Sequence, residues 1–415
     1  MERYAIVGAS AAVVTPNSGI IKSQKMQPSR QELIERAAAL APILRDRAAK
    51  TAQLRRIPDE TMSELREAGL WRILRPEKYG GCITDFGAMV DVSIELARGC
   101  ASTAWVYINL IAHNWMLPYW PAQAVEDIWG ENPEALIGST LIFPAGKLEP
   151  ADGGYLYSGH WPYTSGVDVS DWLMLGAMAA NEDGSSGPRV VIVRVSDVDI
   201  IDNWHVSGLA GTGSKDVACT DLFVPEHMVY DPMLAREGYS PGTEEMEGDA
   251  YRLPLIPFIP HLVVGPMIGI AVGAYEDFLE RLQSQASVYN RSKLADHTTV
   301  QLKVAEAGVL IDTARLLVRE SWQEAHRHVA RGTRPSLQDR VRWRRDAAHA
   351  AGCSVRAVDL IHGVSGASAN YLDNMLQMRH RDVHAAKHQI HLSWDINGPE
   401  FGRVALGLPA SNPIL

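Results

Sequence analysis

Apolar residues in the first 140 positions recur at helical spacing. Ser29 opens one run: Glu32 stands three residues on in a capping-box arrangement, and Leu33, Ala37, Leu40, Ile43 and Leu44 follow. A second run starts at Pro58 and Asp59 and stops at Gly69. The stretches 85–98 and 101–117 repeat the pattern. Near residue 137 the period changes. Tyr155, Tyr157, Trp161 and Tyr163 fall on alternate positions, the spacing of a strand, and the runs WLMLGAMA, RVVIVRV and ACTDLFVP follow between turn signals. From about residue 262 the helical period returns in four long amphipathic segments, the last three spanning 298–330, 336–362 and 370–395, which predict a four-helix bundle. The expected organisation is an N-terminal tail over 1–27, a helical domain over 28–136, a central β domain over 137–235, an acidic linker over 236–261 and the bundle over 262–415. The fold class is α+β.

Composition narrows the function. A chain of 415 residues, 46% hydrophobic and 21% charged, has ample material for a core. Its net charge of -10 argues against nucleic acid or an anionic membrane as the main partner. No run approaches the roughly 20 apolar residues of a membrane span. Cys82, Cys100, Cys219 and Cys353 form no C-x-x-C pair, which predicts free buried thiols and a cytoplasmic protein. The stretch YAIVGASAAVV has only Gly8 of a dinucleotide-binding turn, and Pro16 follows where a helix should run.

Several side chains stand out chemically. Trp105 and His113 lie eight residues apart on one helix, so both can face one side. His113 is a lone polar residue in an apolar run, fit to be a base or a hydrogen-bond partner, or else a core histidine. The stretch WPYTSG puts Thr164 and Ser165 among large aromatic residues at a strand end. His380, His384 and His388 follow at four-residue spacing, with His391 next, yet no carboxylate or cysteine pattern accompanies them and no metal is expected. Gly363, Gly366 and Ser368 form a small-residue break able to admit a phosphate. Arg252 and Arg291 are cations near the start of the bundle.

The element order, with three local motifs, resembles the acyl-CoA dehydrogenase fold. LREAGLWRILRPEKYGG is similar to that fold's signature near its second helix. GLAGTGSKDVACTDLFVPEHMV, with Gly208, Gly211 and Gly213, is similar to its β-domain signature. LQMRHRDVHAAKHQIHLSWDINGPEFGR resembles the flavin-dependent monooxygenases on this fold: oxygenase components of aromatic and steroid hydroxylases, dibenzothiophene monooxygenases and nitrososynthases. The resemblance covers residues 29 to 408 and implies a flavin ring between the β domain and the bundle.

On that resemblance Trp161 and either Thr164 or Ser165 contact the flavin, near its N5, and help a C4a-hydroperoxide persist. Trp105, Arg252, Arg291, Gly366 and Ser368 join them as cofactor-binding candidates. His113, His388 and His391 are the catalytic candidates, and the Arg381-Asp382 pair anchors its helix. The implied cofactor is reduced FMN, with FAD as the other possibility. The implied reaction is hydroxylation of a phenolic or polycyclic aromatic compound by molecular oxygen. No nicotinamide-binding unit is evident, so a separate NAD(P)H-dependent flavin reductase is the expected partner. Apolar faces at 262–279 and 350–362 predict a homotetramer. The rival readings are N-oxygenation of an amine or amino sugar, an acyl-CoA dehydrogenase with Glu400 as base, and a non-catalytic flavin-binding protein.

Overall fold

The structure, a computed structural model, describes residues 27–412 except 83–84, 182, 238–239, 245, 247 and 283–292. The expected tail, save its last residue, and Arg291 lie outside the described residues. Helix α1 (Arg30–Leu54) begins at the reciprocal Ser29–Glu32 capping box. Then come α2 (Asp59–Glu67), α3 (Phe86–Gly99), α4 (Ala101–Met116) and the short α5 (Ala122–Val125). Asp85 caps α3 by accepting the Ala88 N–H at 3.0 Å.

One mixed sheet follows. Its strands are β1 (Ile137–Thr140), β2 (Gly146–Ala151), β3 (Gly154–Thr164), β4 (Trp172–Ala180), β5 (Ser186–Arg194), β6 (Asp199–Ile201), β7 (Lys215–Pro225) and β8 (Val229–Tyr230). They lie in the order β6-β7-β3-β2-β4-β5-β8, with β1 parallel to β4. The alternation expected over residues 155–163 does not hold. Register shifts against β7 fall between Tyr157 and Gly159 and between Trp161 and Thr164, so the buried positions are Tyr157, Trp161 and Thr164. Tyr163 takes a φ of 68° and is 63% exposed.

The bundle departs from expectation at both ends. After α6 (Pro241–Glu244), helix α7 runs Leu255–Leu282, so residues 255–261 are helix rather than linker. Pro260 has no N–H for the Ile256 carbonyl four residues back; Arg344 donates to that oxygen at 3.0 Å. Helices α8 (Thr298–Ala330) and α9 (Leu337–Gly363) follow. The segment 370–395 is not one helix: α10 (Met375–Ala386) ends before a 3₁₀ turn at Ile390–Leu392, and α11 (Trp394–Ala405) resumes.

Among the described residues α7 is the one helix long and apolar enough to cross a membrane, which the sequence reading did not anticipate. It is a core helix, its apolar window 94% buried against α3, α4, α9 and α10. The faces expected to need a partner, 262–279 and 350–362, are thus largely covered within the chain. Exposed apolar side chains lie instead on α8, where Leu302, Val309 and Leu316 recur every seven residues.

Candidate active site

Helix α4 lies between the sheet and α7, touching β1, residues 210–212 and α7. A cavity of about 610 Å³ opens at this junction. Trp105, Asn109 and His113 of α4, Ser139 and Thr140 of β1, and Ser165 just beyond β3 line one side. Trp204, Leu209, Thr212 and Ser214 come from the β-domain loop. Ile259, Leu262 and Val263 of α7 close the apolar wall. The break after α10 brings in His388, Gln389, Ile390 and His391. No Asp, Glu, Lys or Arg occurs among the described lining residues.

The two hydroxyls of WPYTSG separate. Ser165 lines the cavity, where it accepts from Trp105 Nε1 at 3.3 Å and shares a proton with Ser214 Oγ at 2.8 Å. Ser214 in turn meets Thr212 Oγ1 at 2.7 Å, and Thr212 donates to the Leu209 carbonyl at 2.8 Å. Thr164 is fully buried behind this wall and bonds Thr140 Oγ1 at 2.9 Å. The register shift at Trp161–Thr164 sets this division. Gly166 completes the turn: it has a φ of 75°, and a Cβ there would sit 2.8 Å from Val106 of α4.

His113 is 2% exposed, and its Nδ1 lies 2.6 Å from the Ile137 carbonyl. A carbonyl oxygen only accepts, so Nδ1 carries the proton and Nε2 keeps its lone pair. Burial pushes the His113 pKa down to about 4, so the ring is neutral at pH 7. His391 is held neutral by burial and, second, by the Arg344 charge, with its pKa down to about 3. Arg344 donates to Asn397 Oδ1 at 3.0 Å, and Asn397 donates to the His391 carbonyl at 2.9 Å, which fixes the turn that carries His391.

The cavity therefore gathers Trp105, His113, Ser165, His388 and His391 of the sequence-derived candidates. The others lie elsewhere. Trp161 is a core residue whose indole donates to the Gly176 carbonyl at 2.7 Å. Arg252 sits 3.8 Å from Asp249 and does not line the cavity. Ser368 borders a separate groove on the bundle, where it accepts from Arg281, and Gly366 precedes the turn that carries Ser368; neither lines the cavity. Glu400 is outside the cavity, its carboxylate accepting from Ser411 N at 3.0 Å and from the Ser411 hydroxyl. An acyl-CoA dehydrogenase base at Glu400 is excluded by this placement. The expected Arg381-Asp382 anchor is built differently: Asp382 binds the Leu209 backbone, and Arg379 pairs with Asp277 at 2.6 Å.

Thr140, Thr212, Ser214, Trp204 and Asn109 line the cavity without having been singled out. Thr212 and Ser214 stood inside a motif noticed for its glycines; serine and threonine there were a usable signal. Asn109 and Thr140 had none.

The site fits a flavin ring. A volume of about 610 Å³ falls in the range of roughly 300–1,000 Å³ that ligand pockets occupy, and the wall combines aromatic faces with a hydroxyl relay at one edge. The fit is to the ring, because no cation for a phosphate lines the cavity among the described residues.

Models of the acyl-CoA dehydrogenase N-terminal and C-terminal domains match residues 29–123 and 262–394. The chain is 34% identical to the FADH2-dependent resorcinol hydroxylase, oxygenase component, of Rhizobium sp. (strain MTP-10005), over 91% of this chain and 94% of that protein. It is 32% identical to the flavin-dependent monooxygenase oxygenase subunit HsaA of Rhodococcus jostii, over 92% of this chain and 100% of that one. The structure of XiaF from Streptomyces sp. in complex with FADH2 and glycerol superposes with a TM-score of 0.86 at 26% identity, covering 93% of this chain and 98% of XiaF. With a cavity that suits a flavin ring and full-length relatives above 30% identity, the chain belongs to the flavin-dependent monooxygenases, oxygenase components built on the acyl-CoA dehydrogenase fold.

Proposed function

We propose that the substrate is a phenol and that the flavin is FADH2. As an oxygenase component the chain uses reduced flavin delivered by a separate flavin reductase. The preference for FADH2 over the FMN favoured by the sequence reading rests on the Rhizobium relative and on XiaF, both named with FADH2. The observation that carries the phenol is His113: a neutral imidazole on the cavity wall, pinned through Nδ1 so that Nε2 accepts. Resorcinol, in the name of one relative, is itself a phenol.

Bound reduced flavin supplies the electrons that activate molecular oxygen. His113 Nε2 accepts the substrate hydroxyl and raises the electron density of the ring. Full proton transfer from a phenol of pKa about 10 to a histidine near 4 would cost about 8 kcal/mol, so the proton is shared in the ground state. As the ring donates electrons its hydroxyl becomes strongly acidic, and His113 takes the proton then. Ser165, held by Trp105 and Ser214, offers a hydroxyl that turns as donor or acceptor at the edge of the cavity. Ile259, Leu262 and Val263 exclude water.

A homotetramer and a cytoplasmic location belong to the same proposal; the exposed α8 stripe supports the first and four buried unpaired cysteines the second. The test pairs resorcinol with its dimethyl ether in the presence of chemically reduced FAD and oxygen. Resorcinol should give hydroxylated product, and the ether hydrogen peroxide alone. Equal hydroxylation of both would sink the phenol reading.

A further inference from the structure

We propose that Asp359, His380 and His384 form a site for a divalent transition metal of the zinc class on the outer face of the bundle. His380 and His384 sit four residues apart on α10, and Asp359 faces them from the last turns of α9. Their ligand atoms all lie within 4.8 Å of one another. Asp359 Oδ1 is 2.7 Å from His384 Nε2 and 3.2 Å from His380 Nε2. Ligands about 2.0 Å from a tetrahedral zinc stand about 3.3 Å apart, so small side-chain adjustments admit the ion. The set is two imidazoles and a carboxylate, with a fourth position open to water. All three side chains reach solvent, at 34%, 30% and 46% exposure for His380, His384 and Asp359, so an ion has a path in. His362 stacks on His380, ring centroids 4.3 Å apart, and holds its ring orientation.

Asp359 is also uncommitted to a cation: its recorded partners among the described residues are the two imidazoles. The comparable group Glu324, His328 and Asp339 is spent otherwise. Glu324 accepts from Arg342 at 2.6 Å and Trp343 at 2.8 Å, and Asp339 closes the capping box at Ser336. Sequence spacing alone could not supply the carboxylate, because it comes from another helix. The site lies at the end of α10, just ahead of Ala385, Ala386 and residues 388–391, which line the cavity. A metal there clamps α10 to α9 and stiffens that wall. The proposal is independent of the oxygenase reading.

Zinc chloride titrated into chelator-treated full-length protein tests it. Calorimetry should show one binding event per chain, and the melting temperature should rise with zinc concentration, since a ligand that binds only the folded state stabilises it. Magnesium should do neither. His384→Ala should abolish both effects. Asp359→Asn, which keeps a hydrogen-bonding group, should weaken binding at least tenfold, and His328→Ala should leave it unchanged. No zinc binding by the unaltered protein, or equal binding by His384→Ala, would overturn the proposal; loss in His328→Ala alone would assign the ion to the other group and overturn it too.

Discussion

Asp382 on α10 accepts the backbone N–H of Leu209 at 2.7 Å and so joins the bundle to the β-domain lip of the cavity. Leu209 needs the tie, since it holds a φ of 55° that a branched side chain disfavours. Gly208 next to it packs so closely that a Cβ would lie 2.3 Å from the Arg381 carbonyl. Burial raises the Asp382 pKa to about 6, and an asparagine keeps an oxygen able to accept the same N–H. Asp382→Asn should keep stability and reduced-flavin affinity. Asp382→Ala leaves a buried N–H unpaired, about 1–3 kcal/mol, and should weaken flavin binding as well. Urea unfolding with anaerobic flavin titration checks both.

Ser165 and Thr164 should part company on mutation. Ser165→Ala removes the hydroxyl that faces the cavity and should divert about fivefold more oxygen to hydrogen peroxide, the worth of one hydrogen bond. Thr164→Val breaks only the buried Thr140 bond and should cost about 1 kcal/mol of stability with coupling intact. Reversed results would place Thr164 at the reacting centre.

His113→Asn is the sharper probe of the proton acceptor. An amide N–H can keep the Ile137 bond while Nε2 is lost. Hydroxylation should fall about 10²-fold or more, with flavin binding unchanged. Product formation at the normal rate would make His113 a core histidine.

Acid should destabilise the protein early. His113, His261 and His391 have folded pKa values lowered by burial to about 4, about 3 and about 3, so the unfolded chain binds more protons around and below pH 6.5. Their contribution is full well above 6.5 and is lost at up to about 4 kcal/mol per pH unit once the unfolded imidazoles are charged, about one unit below 6.5. Below about pH 6 Asp382, raised to about 6, gains its proton first in the fold and offsets about a third of that loss. Unfolding curves at pH 7.5, 6.2 and 5.2 follow this, and a flat profile would refute it.

Val309→Glu puts a charge in the exposed α8 stripe. Sedimentation should show the proposed tetramer giving way to smaller species, while the secondary structure stays unchanged. An assembly that persists would move the interface away from α8.

Much of the site was legible because it follows local rules. Trp105 and His113 were found from spacing on one helix, and His388 and His391 from a motif. What stayed hidden depended on irregularity or distance. The register shift in β3 decides between Thr164 and Ser165, and alternation cannot show a shift. The linker expected to run to residue 261 holds Pro257 and Pro260, yet Pro257 falls in the first turn of α7 and the carbonyl freed by Pro260 is met by Arg344. Asp359 meets His380 and His384 only through the packing of α9 on α10.

The absence of carboxylate, lysine and arginine side chains from the described cavity lining has a consequence for how substrate preference can change. Hydroxyls rotate, so the same oxygen can give or take a hydrogen bond, while His113 Nε2 stays an acceptor. A new ring substituent can therefore be met by reorienting Ser165, Ser214 or Thr212, with no buried ion left stranded. A wall of fixed charges would demand two simultaneous substitutions for each new ligand; here one small change at an apolar position such as Ile259 or Val263 suffices to reshape the space, and the polar side follows. Such a pocket drifts between aromatic compounds by single steps.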